Sequence, residues 1–190
     1  MNYDIEMLKD GIKNTEKALM TNPLPSWDLL PQFDLYMDQV IILLGKYLSA
    51  YTVGQSREKF ITAAMINNYV KLKIMPAPIK KKYSRVHLAY LIMICSLKQT
   101  LSMATIQKII PSNLSEEKIH EIYSKFLSNQ KLAVEHTKQQ IKEFTSPVTA
   151  LDEKTDIDDL VMQVAIFSNI TKILTERLCN AAAQTDDLRN

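Results

Sequence analysis

Apolar residues along this chain recur at helical rather than strand spacing, and short polar or proline-containing breaks separate the runs. Residues 3–20 read as a first helix, with Ile5, Leu8, Ile12 and Leu19 set among polar residues. Asn22-Pro23-Leu24-Pro25 stops it, because proline cannot continue a helix and pushes the residue before it toward extended backbone. Trp27, the single tryptophan, is expected to anchor this arm onto the core. A second helix is expected over 34–50, with a stripe of Leu35, Val40, Ile41, Leu44, Tyr47 and Leu48, followed by a loop over 51–59 holding Gly54 and Ser56. Thr62 is a natural N-cap for a third helix over 63–72, which Met75-Pro76-Ala77-Pro78 ends. Ser84 caps a fourth helix over 85–99, rich in Leu88, Leu91, Ile92, Ile94 and Cys95. Ser102 caps a short fifth helix that Pro111 closes.

The last 75 residues have a different pattern. Ile119, Ile122, Phe126, Ala133, Thr137, Ile141 and Phe144 mark a long helix that should break at Ser146-Pro147. Beyond it, Ile157, Leu160, Val164, Phe167, Thr171, Leu174, Leu178 and Ala181 alternate at intervals of 3 and 4. That is a heptad seam, suited to an antiparallel helix pair or to a dimer interface. Thr155 and Asp158 resemble a capping box at its start.

Composition narrows the class. At 190 residues, 46% hydrophobic and 23% charged, the chain can bury one good core. Three glycines leave few turns free to take positive φ cheaply, and there is no Asn-Gly or Asp-Gly hairpin signal. No apolar run reaches the ~20 residues that span a bilayer, and Asp4 and Glu6 replace an apolar signal core, so a cytoplasmic location is expected. Cys95 and Cys179 lie far apart on apolar stretches and read as free thiols of a reducing compartment.

Charge is distributed unevenly. Between Glu58 and Glu116 there is no acid, while Lys59, Lys71, Lys73, Lys80, Lys81, Lys82, Arg85, Lys98 and Lys108 make the segment +9 and leave the remainder at −7. A basic module inside an acidic chain is the footprint of a polyanion binder.

Within that module the order is Thr62-Ala63-Ala64-Met65-Ile66-Asn67-Asn68-Tyr69-Val70-Lys71-Leu72-Lys73-Ile74-Met75-Pro76, then Lys80-Lys81-Lys82-Tyr83-Ser84, then the apolar helix, then Leu101-Ser102-Met103-Ala104-Thr105-Ile106-Gln107-Lys108-Ile109-Ile110. This order resembles the MerR family of bacterial regulators over residues 60–110. In that family a recognition helix with a Tyr near its end meets a Leu/Ile-Pro stop, a basic wing ends in Tyr-Ser, and a Leu-rich helix and a Ser-introduced short helix follow. Ile66, Tyr69, Lys71, Pro76, Tyr83, Ser84, Leu88, Leu91, Leu97, Lys98, Ser102, Ile106 and Ile110 fall at matching steps. The family usually has Arg where Asn67 stands, Gly where Lys73 stands and Gly-Tyr-Arg before the Tyr-Ser; here Lys81-Lys82 precede it. The whole chain, through Leu-Pro-Ser-Trp-Asp, Asp-Leu-Tyr-Met-Asp-Gln-Val and Met-Ile-Asn-Asn-Tyr-Val-Lys, resembles a family of uncharacterised Gram-positive bacterial proteins, domain of unknown function 1836.

The MerR resemblance over 60–110 implies a winged helix-turn-helix core with a short wing, and the helical pattern adds an all-α fold whose long C-terminal helices form a hairpin or dimerisation bundle. Read with the proline breaks and the change of pattern, it divides the chain into an N-terminal helix and Pro-rich arm (1–31), a helix-turn-helix domain (32–114) and a C-terminal helical region for dimerisation, partner or effector (115–190). It also implies a transcription regulator that binds double-stranded DNA as a homodimer under an unidentified small-molecule or protein effector. The candidate DNA-contacting residues are Thr62, Asn67, Asn68, Lys71, Lys73, Lys80, Lys81, Lys82, Tyr83 and Arg85. Asn pairs bidentately with adenine, and lysines on a proline-held loop suit phosphates. Ile157, Leu160, Val164, Phe167, Leu174 and Leu178 are the candidate dimer seam.

An enzyme is not expected. His87, His120 and His136 have no metal-motif spacing, and there is no phosphate-binding glycine loop or nucleophile elbow. Asp34 with Asp38, and Asp156, Asp158 and Asp159, read as caps and surface charge. No cofactor and no metal sensing are expected. The competing reading is a helical protein-interaction module that keeps the fold without using DNA. Lys71, Lys80, Lys81, Lys82 and Arg85 on one open surface would favour DNA; the same residues paired with the acidic helices would favour the interaction module.

Overall fold

The computed structural model describes residues 5–21, 23–51, 60–149 and 157–187. Among them are seven α-helices: α1 (Ile5–Thr21), α2 (Met37–Tyr47), α3 (Ala63–Lys71), α4 (Arg85–Leu97), α5 (Met103–Ile109), α6 (Glu116–Thr149) and α7 (Ile157–Asp187). Two 3-10 turns, Trp27–Leu29 and Ser49–Tyr51, complete them. The expectation of a mainly helical protein holds, and among the described residues β structure is limited to two isolated bridges. The expected loop lies outside the described residues over 52–59, as does the Thr155 half of the expected capping box. One compact unit comprises Thr15–Glu135, and the other Met1–Asn14 with His136–Asn190.

In the first unit α4 forms the centre. Residues 87–95 are all buried, so this helix is covered on every side, as its near-continuous apolar sequence requires. The same core holds Leu24, Trp27 and Leu30 from the arm, Val40 and Leu44 from α2, Ile66 and Tyr69 from α3, Ile106 from α5, and Ile119 and Tyr123 from α6. The core therefore extends past residue 114 at one end and takes in the arm before residue 32 at the other. Cys95 is buried there as a free thiol, which burial pushes up to about 12, leaving it protonated and inert. Cys179 is also free and half-buried.

The caps follow the sequence closely. The Thr62 hydroxyl accepts from the Met65 N–H at 3.3 Å, and the Ser102 hydroxyl accepts from the Thr105 N–H at 3.1 Å. The expected break at Ser146-Pro147 does not occur, for α6 continues to Thr149.

The end of α3 is a Schellman motif. The Ile74 N–H donates to the Tyr69 carbonyl at 2.9 Å and the Lys73 N–H to the Val70 carbonyl at 3.0 Å. Lys73, the residue between, has φ 55°. Glycine adopts that conformation without strain, whereas a side chain there costs about 1 kcal/mol. Lys73→Gly is therefore expected to raise unfolding free energy by about 0.5–1 kcal/mol in urea titration.

The second unit contains α7. Along its seam, Ile157 is buried and Leu160 half-buried, while Val164, Phe167, Leu174 and Leu178 are 42%, 38%, 56% and 63% exposed. Val161, Met162, Ile166, Ile170 and Ile173 are exposed as well, which makes this helix apolar over more than one face.

Candidate nucleic-acid interface

Helix α3 is amphipathic. Ile66 and Tyr69 enter the core, while Asn67, Asn68 and Lys71 face solvent. Thr62 serves as the N-cap and is half-buried. Lys98 holds this helix to α4: its ammonium donates to the Phe60 carbonyl at 3.2 Å and the Tyr69 hydroxyl at 3.3 Å, and sits 4.9 Å from the Phe60 ring centroid. One base of the +9 segment is thus spent internally. Burial pushes the Tyr69 hydroxyl up to about 12, so it stays neutral. At the other end of α3, the Gln107 side-chain amide donates to the Lys73 carbonyl at 3.1 Å, tying α5 to the Schellman turn.

The three consecutive lysines lie on a hairpin turn. Ile79 and Lys82 exchange both backbone hydrogen bonds, at 3.1 and 2.9 Å. Lys80 and Lys81 between them have φ 50° and 63°, the signature of a type I′ turn. Asn-Gly is the usual occupant, so lysine here again accepts backbone strain. Tyr83 then pairs with Leu35 through bonds of 2.9 and 2.8 Å, which fastens the turn to the segment entering α2.

His87 locks the turn to α4. Its Nδ1 accepts from the Ser84 backbone N–H at 3.0 Å, so the remaining proton sits on Nε2, which donates to the Ala77 carbonyl at 3.2 Å. The Tyr83 ring meets the imidazole edge-on, with centroids 5.6 Å apart. Burial lowers the His87 pKa below 6.5, opposed by its bond to Ala77 and by the charge of Asp34. A neutral native imidazole binds fewer protons than the unfolded one. Its contribution is therefore fully present above about pH 6.5 and is lost as pH falls below it. Urea midpoints at about pH 7.5 and about pH 5 should differ more in the wild type than in His87→Gln.

The candidate contacts thus divide. Lys71, Lys73, Lys80 and Lys81 are exposed, and Lys82 and Arg85 are half-buried. None of these six forms an ion pair among the described residues, where Glu121 of α6 binds Lys118 and Lys125 of its own helix instead. Tyr83 is corrected: at 3% exposure its ring belongs to the core. Arg85 lies 5.5 Å from the centroid of Trp27, a ring that also stacks on His120 at 4.8 Å. Trp27, 6% exposed, thus anchors the arm as expected and positions Arg85 as well. Sequence reasoning misses Tyr36, whose ring lies 5.6 Å from the Lys82 ammonium, because pairing of residue 35 with residue 83 has no local signal.

The described residues contain no group of three or more His, Cys, Asp or Glu that could hold a metal, and no helix among them is long and apolar enough to cross a membrane. Fold and site together define a mainly helical protein with a basic hairpin beside an amphipathic helix. Residues 25–126, more than half the chain, match the family model Domain of unknown function (DUF1836), and the chain belongs to that family. No curated protein and no solved structure matches it.

Proposed function

We propose that this protein is a DNA-binding transcription regulator of winged helix-turn-helix type, similar to the MerR family, that works as a homodimer. One observation carries the reading: Lys71, Lys73, Lys80, Lys81, Lys82 and Arg85 stand on one helix, its cap, a hairpin and the helix that follows, none of them neutralised by a described acid, within a stretch free of Asp and Glu. The hairpin is the wing and α3 the recognition helix. Asn67 and Asn68 are placed to read adenine, and the lysines to hold phosphates.

Binding to duplex DNA should weaken steeply between about 50 and about 200 mM salt, as counterion release demands. Anisotropy titration of labelled duplex decides this; affinity independent of salt refutes it. The α7 seam is the proposed dimer contact, its 3-4 spacing matching a helix pair and its exposed Val164, Leu174 and Leu178 needing cover. Leu174→Glu with Leu178→Glu should convert dimer to monomer in sedimentation velocity.

A further inference from the structure

The bridges around the hairpin fix which side chains share a face. Leu35 pairs with Tyr83, and both are buried. Their neighbours in register, Tyr36 and Lys82, therefore project to the opposite side, because successive residues alternate. Ile79, paired with Lys82 across the turn, shares that side. Exposure agrees, with Tyr36 at 53% and Ile79 at 72%. The result is a row in which exposed Tyr36 and Ile79 flank half-buried Lys82, directly behind the Lys80-Lys81 tip. The Lys82 ammonium lies over the Tyr36 ring. Asp34 stands on the same side, two rows further from the tip, where its charge acts on His87.

An aliphatic and an aromatic group exposed within a cluster of lysines match a surface that alternates charge with apolar patches. The backbone of duplex DNA is such a surface, with deoxyribose faces between successive phosphates. We propose that Tyr36 and Ile79 pack on the deoxyribose edge of the strand whose phosphates are held by Lys80, Lys81 and Lys82. This rests on the DNA-binding reading and adds to it two residues and a kind of contact. Charge complementarity selects the occupant: three ammonium groups stand within four residues of one turn, and one of them lies inside the apolar row instead of around it. A lipid surface would call for a broader apolar face ringed by bases.

The test uses the full chain, a labelled duplex of about two helical turns and a series of salt concentrations. Tyr36→Ser with Ile79→Ser should lose about tenfold in affinity at every salt while keeping the wild-type salt slope, since the lysines still hold their phosphates. Tyr36→Phe with Ile79→Val should bind within about twofold of wild type, as apolar area is kept. Both positions are exposed, so thermal unfolding should be unchanged, which separates weaker packing on DNA from a damaged fold. If the serine pair binds as wild type does, or loses salt slope together with affinity, the deoxyribose contact is wrong and the DNA reading stands. If wild type binds no duplex, or prefers phosphatidylserine vesicles, both are wrong.

Discussion

Replacing Lys80, Lys81 and Lys82 together with alanine is expected to reduce affinity for duplex DNA on the order of 100-fold at about 0.15 M salt and to lower the salt slope by about 2.7. Both figures follow from three phosphates left without an ammonium partner, at about 0.9 counterion each. The effect should be nearly uniform across sequences, because phosphate contacts position without reading. Stability should hardly change, since alanine keeps the Cβ that strains Lys80 and Lys81. The pair Lys80→Asn and Lys81→Gly makes a sharper contrast. It relieves the left-handed backbone and should raise the unfolding midpoint, while still removing two charges and lowering affinity. Opposite signs in the two measurements would mean that lysine is kept at this turn for its ammonium and against its backbone preference.

Tyr123→Ala should be the most damaging single change to folding, costing about 3–5 kcal/mol in urea titration. The ring is fully buried, tilted against Trp27 and stacked on Phe126, and its hydroxyl donates to the Pro25 carbonyl at 2.8 Å. Burial leaves that hydroxyl neutral across the accessible pH range. Tyr123→Phe keeps the ring and should cost about 1–3 kcal/mol, the penalty for a buried carbonyl without a donor. The bond joins residues 98 apart in sequence, from the arm to α6. A fragment limited to 32–114 lacks both ends of it, along with Trp27, Leu30 and Ile119, and should fail to give a cooperative transition.

Helix positions were legible because their causes are local. Thr62, Ser84 and Ser102 each precede an apolar run, and each stands at the N-cap. The buried centre was legible from the run of apolar residues in α4. The hairpin backbone was not, because its type I′ turn is made of lysines where Asn-Gly is the usual sign. The Schellman turn at Lys73 was hidden for the same reason. Tyr83 looked like a surface residue beside three lysines, but pairing with Leu35 turns it inward and brings Tyr36 out. Arg85 looked like a free cation, and only the fold brings Trp27 under it, 58 residues away in sequence. Contacts between distant segments leave no periodic trace, so the site's basic composition could be read in advance and its geometry could not.

If the basic hairpin and α3 read duplex DNA, bound duplexes selected from a random-sequence pool at about 50 and about 200 mM salt will show it most directly. The expected result is enrichment of two related half-sites about one helical turn apart, sharper at the higher salt, and its disappearance in Asn67→Ala with Asn68→Ala. A pool recovered unenriched at both salts, in the same yield, would contradict DNA reading by this protein.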